Sequence, residues 1–191
     1  MTLSKIMDTT EGIHKPLGKY IFNNVQFSKY DPVVDKLRAA NYNVINHPTD
    51  DSGVLITFPV KWDDVPFHKV NGKEVNLDSA VEQLEKYKLI QTSWTQQNTS
   101  VTISYDLSEV EDIIKWLLNN WDCYVGVSFI YRTDPSMTAK DLGYLYLPQE
   151  VVSEQDYDDY VKLLQPVSLE DTNSFDEIVA EDCSTGSCPI K

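Results

Sequence analysis

The run VLITFPVKW, residues 54–62, is apolar on both faces of an extended chain. A strand sends alternate side chains to opposite faces, so this one needs cover on both sides. Its neighbours supply the layers. KYIFNNVQF (19–27) is rich in β-branched and aromatic residues and reads as a strand. DPVVDKLRAANY (31–42) opens as a helix, with Asp31 as N-cap, Pro32 in the first turn and Val33, Val34 and Leu37 on one face. NVINHP is extended and leads through the turn TDDSG into 54–62.

A helix is predicted over 76–96, with Leu77, Ala80, Val81, Leu84, Tyr87 and Trp94 at helical spacing, and then the strand SVTISYDL, 100–107. Ser108 and Glu111 read as a capping box for SEVEDIIKWLLNNW, whose inner stripe is Val110, Ile113, Ile114, Leu117 and Trp121. CYVGVSFIYR (123–132) is a further strand, and SEQDYDDYVKLL a last helix, from Ser153 to the stop at Pro166. Strands alternating with helices imply right-handed crossovers and a parallel α/β sheet. No internal repeat is apparent.

Charge divides the chain. The 191 residues carry a net −14, and eleven acidic residues against two lysines put −9 of it after Pro148. Such a surface argues against nucleic acid or anionic membrane as a partner. From 167 to 191 few residues can bury surface, so this stretch reads as a disordered acidic tail on a folded unit, 1–166. No apolar stretch reaches the length needed to span a bilayer, and MTLSKIMDTTEG lacks a basic start and an apolar run. A cytoplasmic, reducing setting is the default, in which a structural disulfide is unexpected.

The tail ends in CSTGSCPIK, placing Cys183 and Cys188 around Gly186. Three readings are open: a zinc half-site, a pair of thiols without a role, and a redox dithiol. Metal is the weaker choice because Cys123, His14, His47 and His68 form no second paired cluster. The redox reading is favoured. Gly186 lets the sulfurs meet by local bending. The seventeen residues from Pro166 to Cys183 reach roughly 21–25 Å on average and about 55–60 Å fully extended. A dithiol on such a tether can enter a pocket and return to the surface.

Elsewhere the signals are weak. His14, beside Glu11 in TTEGIHKP, is more simply a turn histidine than half of an acid/base pair, and His47 and His68 receive no role. Cys123 reads as a small buried hydrophobe, and the Trp and Tyr residues as core. No Ser-His-Asp order, phosphate-binding glycine loop or HExxH stands out. A shuttle dithiol without an active site of its own implies that its pocket lies elsewhere.

Several ordered stretches, DTTEGIHKPLGKYIFNNVQFSKYDP (8–32), LITFPVKW (55–62), NTSVTISYD (98–106), NWDCYVGVSFIYR (120–132), DLGYLYLPQEVV (141–152) and the terminal CSTGSCPIK, together resemble the C-terminal part of the adenosylcobalamin-dependent, monomeric-type class II ribonucleoside-triphosphate reductases. The resemblance implies a share of a ten-stranded α/β barrel, formed by 1–166. It also implies that the radical-carrying cysteine and the two ribose-reducing cysteines lie outside this chain, on an N-terminal portion that holds most of the adenosylcobalamin site. In the family a tail dithiol, matched by Cys183 and Cys188, re-reduces the active-site disulfide and is itself reduced by a thioredoxin-type protein. The family's substrate-phosphate loop resembles P-S-G-T-L-S, and Thr2, Leu3 and Ser4 match its second half, with Met1 in place of the glycine.

The expectation is therefore a split subunit or fragment, inactive alone, that completes the barrel and phosphate loop for ribonucleotide reduction. Its partners would be a separate N-terminal reductase chain, thioredoxin and a ribonucleotide. Two other classes compete: a stand-alone thiol–disulfide carrier, and a non-catalytic binding module with a metal-capped tail.

Overall fold

The computed structural model describes residues 10, 12–134 and 136–168. Among them eight strands form one four-stranded sheet and two two-stranded sheets, and no closed barrel. The elements run β1 (Tyr20–Ser28), α1 (Pro32–Ala39), β2 (Val44–Asn46), β3 (Gly53–Lys61), β4 (His68–Val70), β5 (Lys73–Val75), α2 (Ala80–Ser93), β6 (Thr102–Tyr105), α3 (Val110–Asn119), β7 (Ser128–Tyr131), β8 (Gln149–Val151) and α4 (Glu154–Val161).

The large sheet has the order β2-β3-β1-β8, and every pairing in it is antiparallel, which corrects the expected parallel sheet. The crossover β1–α1–β2 does return the chain in the same direction, since both strands run opposite to β3. The turn at residues 50–53, where Gly53 N–H donates to the Asp50 carbonyl at 3.0 Å, then reverses the chain. It slides β3 between β1 and β2. Only β6–α3–β7 is a parallel unit with adjacent strands, in register from Thr102↔Ser128 to Tyr105↔Tyr131.

β3 is covered as its sequence requires: Gly53 to Thr57 are all buried. Its register with β1 puts Val54, Ile56, Val60, Ile21 and Phe27 on one face. There Val54 and Ile56 pack with Val34 and Leu37 of α1. On the other face α4 lies over β1, with Tyr157 5.2 Å from Tyr20 and Tyr160 5.0 Å from Phe22 between ring centres. Tyr20 donates to Glu154 at 2.6 Å, giving a buried phenol its partner. Gly18 has no room for a side chain, because a Cβ would lie 2.5 Å from Val151 Cγ1 and 2.6 Å from the Glu74 carbonyl.

A second core joins α2, α3 and β6 through Ala80, Leu84, Tyr87, Val101, Ile103, Ile113 and Trp116. The caps differ in part from expectation. Asp31 accepts from Val33 N–H and Ser79 forms a capping box with Glu82. Ahead of α3, however, the box is Asp106 with Glu109, rather than Ser108 with Glu111, and it seats a short 3-10 turn over Leu107–Glu109. Asp106 wins because its carboxylate accepts both the N–H and the hydroxyl of Ser108. The inner stripe shifts accordingly. Trp116 is buried with its indole N–H on Glu85, whereas Ile114 and Trp121 face outward. Trp94, the C-cap of α2, is 84% exposed because the chain leaves helical geometry there. Residues 121–123 form a turn, so Cys123 is only half-buried and the strand begins at Ser128.

Candidate functional site

The residues singled out from sequence, Thr2, Leu3, Ser4, Cys183 and Cys188, lie outside the described residues, as does Glu11. The described part contributes a cavity of about 270 Å³ at the seam between the antiparallel sheet and the β6–β7 unit. Ile21, Asn23 and Val60 wall it from the sheet, and Gln83 and Lys86 of α2 with Thr102 and Ser104 of β6 from the other side.

A strap, residues 12–17, crosses this seam. Its backbone turns at Gly12, where φ is +62° and glycine carries no steric penalty. Three tethers hold it. Thr102 N–H donates to His14 Nε2 at 3.0 Å. Lys15 Nζ pairs with Asp78 at 2.5 Å and lies 5.5 Å from the centre of the Phe67 ring. Asn76 donates its backbone N–H to the Leu17 carbonyl at 2.7 Å and its side-chain amide to the Lys15 carbonyl at 3.3 Å. Ile13 packs against the second core. His14 thus makes a long-range bond to β6 besides whatever it makes locally. It bridges 88 residues of sequence.

The edge of β6 turned towards the seam is closed by side chains. Val101 and Tyr105 direct their carbonyls to β7, accepting from Ser128 N–H and Arg132 N–H. Alternate residues along a strand point their backbone groups the other way. There Ser104 donates its N–H to Gln83 Oε1 at 3.0 Å, and its carbonyl accepts from Gln83 Nε2 at 2.9 Å. One side-chain amide stands where a neighbouring strand would pair. Glu109 ties the far end: it accepts from Ala80 N–H at 2.7 Å and from Asp106 N–H at 2.7 Å, and pairs with Arg132 at 3.0 Å. Sequence reasoning assigned no role to Gln83 or Glu109. The spacing of Glu109 three residues after Asp106 was the signal that could have exposed the second.

The cavity's charges balance, Lys15 and Lys86 against Asp78 and Glu82. Glu82 lies below the usual carboxylate range because Ser79 donates both its N–H and its hydroxyl to it. Among the described residues no cysteine lines the cavity, and no cluster of His, Cys, Asp and Glu could hold a metal ion. His47 is engaged by Tyr146 at 3.2 Å and Thr49 at 3.3 Å, far from chemistry of this kind. No described helix is long and apolar enough to cross a membrane.

No family profile matches the chain. Individual proteins do. It is 24% identical over 193 residues to a probable adenosylcobalamin-dependent ribonucleoside-triphosphate reductase of Dictyostelium discoideum, covering 99% of this chain and 24% of that protein. Adenosylcobalamin-dependent ribonucleoside-triphosphate reductases of Levilactobacillus brevis and Lactobacillus leichmannii are each 24% identical, with 100% of this chain and 25% of theirs aligned. The fold matches a crystal structure of a B12-dependent, class II ribonucleotide reductase with a TM-score of 0.73 at 21% identity, over 100% of this chain and 24% of that one.

The chain is similar throughout its length to adenosylcobalamin-dependent ribonucleoside-triphosphate reductases. It spans about a quarter of those relatives. Those relatives are named as adenosylcobalamin-dependent; the described lining of the seam cavity includes no cysteine and no metal-ligating cluster that would hold such a group.

Proposed function

We propose that this region works as the C-terminal part of a cobalamin-dependent ribonucleotide reductase, in deoxyribonucleotide synthesis. The observation that carries the reading is the end-to-end likeness in sequence and fold, with TM-score 0.73 over 100% of the chain. In this reading residues 1–166 lend strands, the strap and the phosphate residues Thr2, Leu3 and Ser4 to a barrel. An N-terminal reductase portion, on a separate chain, supplies the radical cysteine, the reducing pair and the adenosylcobalamin site. The working place is the cytoplasm.

Residues 167–191 act as the redox tail. A thiolate of Cys183 or Cys188 attacks the disulfide left in the pocket after turnover, forming a mixed disulfide and freeing one pocket thiolate. The second tail thiolate attacks the tail sulfur of that bond, releasing the other pocket thiolate. Two electrons pass to the pocket, and solvent protonates its thiolates. The oxidised tail is then reduced by a thioredoxin-type dithiol. From Ser168, the last described residue, fifteen residues lead to Cys183, a reach of at most about 50–54 Å.

The test combines this chain with an N-terminal reductase portion. Adenosylcobalamin-dependent reduction of a ribonucleoside triphosphate is expected from the mixture and not from this chain alone. The double variant Cys183→Ser, Cys188→Ser should give about one turnover per site with thioredoxin as reductant, and multiple turnovers with dithiothreitol, which diffuses into the pocket. Undiminished thioredoxin-driven turnover by that variant contradicts the tail's role. Activity of this chain by itself contradicts the whole reading.

A further inference from the structure

We propose that the parallel unit takes one added strand from the N-terminal reductase portion, and takes it at the outer edge of β7 rather than of β6. The inference rests on the proposed function, for which it names a joining surface. Register decides which backbone groups are on offer. Ser128 N–H donates to the Val101 carbonyl and Arg132 N–H to the Tyr105 carbonyl, so Ser128, Ile130 and Arg132 turn their backbone groups to β6. Those of Phe129 and Tyr131 point the other way. Among the described residues no strand pairs with them there.

The outer edge of β6 is blocked instead. Its outward groups are those of Thr102 and Ser104. Thr102 N–H donates to His14 Nε2 and Ser104 N–H to Gln83 Oε1, each at 3.0 Å. The Ser104 carbonyl accepts from Gln83 Nε2 and from Arg132 Nη2, each at 2.9 Å. Side chains close one edge and leave strand addition to the other.

The helix layer is open on the same side. Gln83 sets α2 beside the outer edge of β6, and the indole of Trp116 turns one flank of α3 to Glu85 of α2. Two residues either side of Trp116, Ile114 and Leu118 stand about 160° round the helix from it, and both are exposed. Phe129 and Tyr131, whose rings meet Tyr105 on the helix face of β7, are exposed as well. A strand laid along β7 satisfies the edge and sets alternate apolar side chains beside these four residues. What lies outside this chain identifies the occupant. The chain aligns with about a quarter of each relative, which leaves the remainder to supply the strand. A second copy is the poorer fit, because two chains at net −14 repel each other.

The experiment mixes this chain with the N-terminal reductase portion from the same source, and follows Kd and amide exchange. Exchange at Phe129 and Tyr131 should slow by at least about tenfold on mixing, while Ser104, already closed by Gln83, stays within about twofold. Tyr131→Pro removes the outward N–H, which an edge strand tolerates, and Tyr131→Val keeps it. Proline should raise Kd over valine by about 5- to 160-fold, the cost of leaving a buried partner carbonyl without its donor. The double variant Ile114→Lys, Leu118→Lys should also raise Kd while this chain alone melts as before. Should Tyr131→Pro fail to fold, exchange in the unsubstituted chain still decides. An active mixture in which exchange at Phe129 and Tyr131 is unchanged overturns the inference and leaves the reductase reading standing. Protection of those amides in this chain alone, growing with its concentration, makes a second copy the occupant and overturns it too. A mixture that neither associates nor reduces a ribonucleotide overturns the proposed function, and the inference with it.

Discussion

β3 and β7 are both apolar strands, yet they end in opposite surroundings. β3 is paired on both edges, by β1 and β2, and its first five residues are buried. Among the described residues β7 is paired on one edge only, and all four of its residues are exposed, Ile130 at 57% and Tyr131 at 53%. Nothing in the residue types of SFIY distinguishes it from the buried half of β3. The difference lies in what the rest of the chain supplies: α1, α4 and two strands for β3, but only β6 and its helices for β7. Both sheets have unpaired outer edges among the described residues. The parallel unit, with Phe129, Ile130 and Tyr131 exposed in sequence on β7, nevertheless presents the larger run of apolar surface, of the kind that marks an interaction site. On the proposed reading the remaining reductase strands cover it.

The sharpest way to break this comparison is truncation on each strand. Ile56→Ala should cost about 2–5 kcal/mol, because Ile56 is fully buried among Val34, Leu37 and Val54. Ile130→Ala should change stability by no more than about 0.5 kcal/mol in this chain alone, yet weaken association with the N-terminal portion. Urea unfolding measures the first effect and co-purification the second. Equal destabilisation by the two variants would mean that β7 is already covered within this chain.

A smaller effect is expected at the clamp that closes the parallel unit. Glu109→Ala removes the acceptor of two backbone N–H groups and the ion-pair partner of Arg132 Nη2, which would keep only its bond to the Ser104 carbonyl. Arg132 Nε is buried with no hydrogen-bond partner among the described residues. The Glu109 side chain is 18% exposed, so the loss should be about 1.5–3 kcal/mol, the range for charged hydrogen bonds. Glu109→Gln keeps one acceptor oxygen and should cost less. Near-ultraviolet circular dichroism through melting would show whether Trp116, in the core behind the clamp, loosens first. If Glu109→Ala melts like the wild type, the clamp does not hold the unit together.

Much of this was legible. The apolar run of β3 and the Asp31–Pro32 start of α1 carry local signals strong enough to survive the tertiary context, whereas the helix expected over 76–96 runs only from Ala80 to Ser93, with Ser79 as its cap. Strand direction did not. Alternating strands and helices suggested crossovers throughout, but the turn at Asp50–Gly53 returned β3 between β1 and β2. Inserting a strand in this way leaves the local pattern unchanged. The β4–β5 hairpin was passed over although Asn71-Gly72, with φ of 50° and 78°, is the pair its tight turn requires. The candidate site was least legible, because His14, Gln83 and Glu109 act through partners between 3 and 88 residues away. The hairpin yields the next prediction. Gly72→Ala should cost about 1–2 kcal/mol for a left-handed residue that gains a Cβ, in a turn with open space around it. Thermal melting measures it, and a neutral result would show that the hairpin does not need its turn.

The smallest expected effect is acid loosening at the caps, and it tests whether the two halves titrate alike. Asp106, at the head of the parallel unit's helix, lies below the usual carboxylate range because the hydroxyl and N–H of Ser108 donate to it. Asp50, in the turn of the antiparallel sheet, is lowered in the same way by Ser52. A carboxyl whose folded-state pKa is depressed stabilises the fold above its unfolded value, near 4, and loses that contribution as pH falls through the lower folded value. The melting temperature should therefore be flat with respect to these groups above about pH 5 and decline from about pH 4 downward. Asn caps a helix about as well as Asp but carries no proton to gain. Asp106→Asn should then flatten part of the acid decline without lowering the melting temperature at pH 7, and Asp50→Asn another part. Tryptophan emission follows Trp116 in the parallel unit, while amide exchange at Leu55 and Ile56 follows the large sheet. An acid profile that neither substitution changes would place the titrating groups elsewhere and remove the caps from the account of either half.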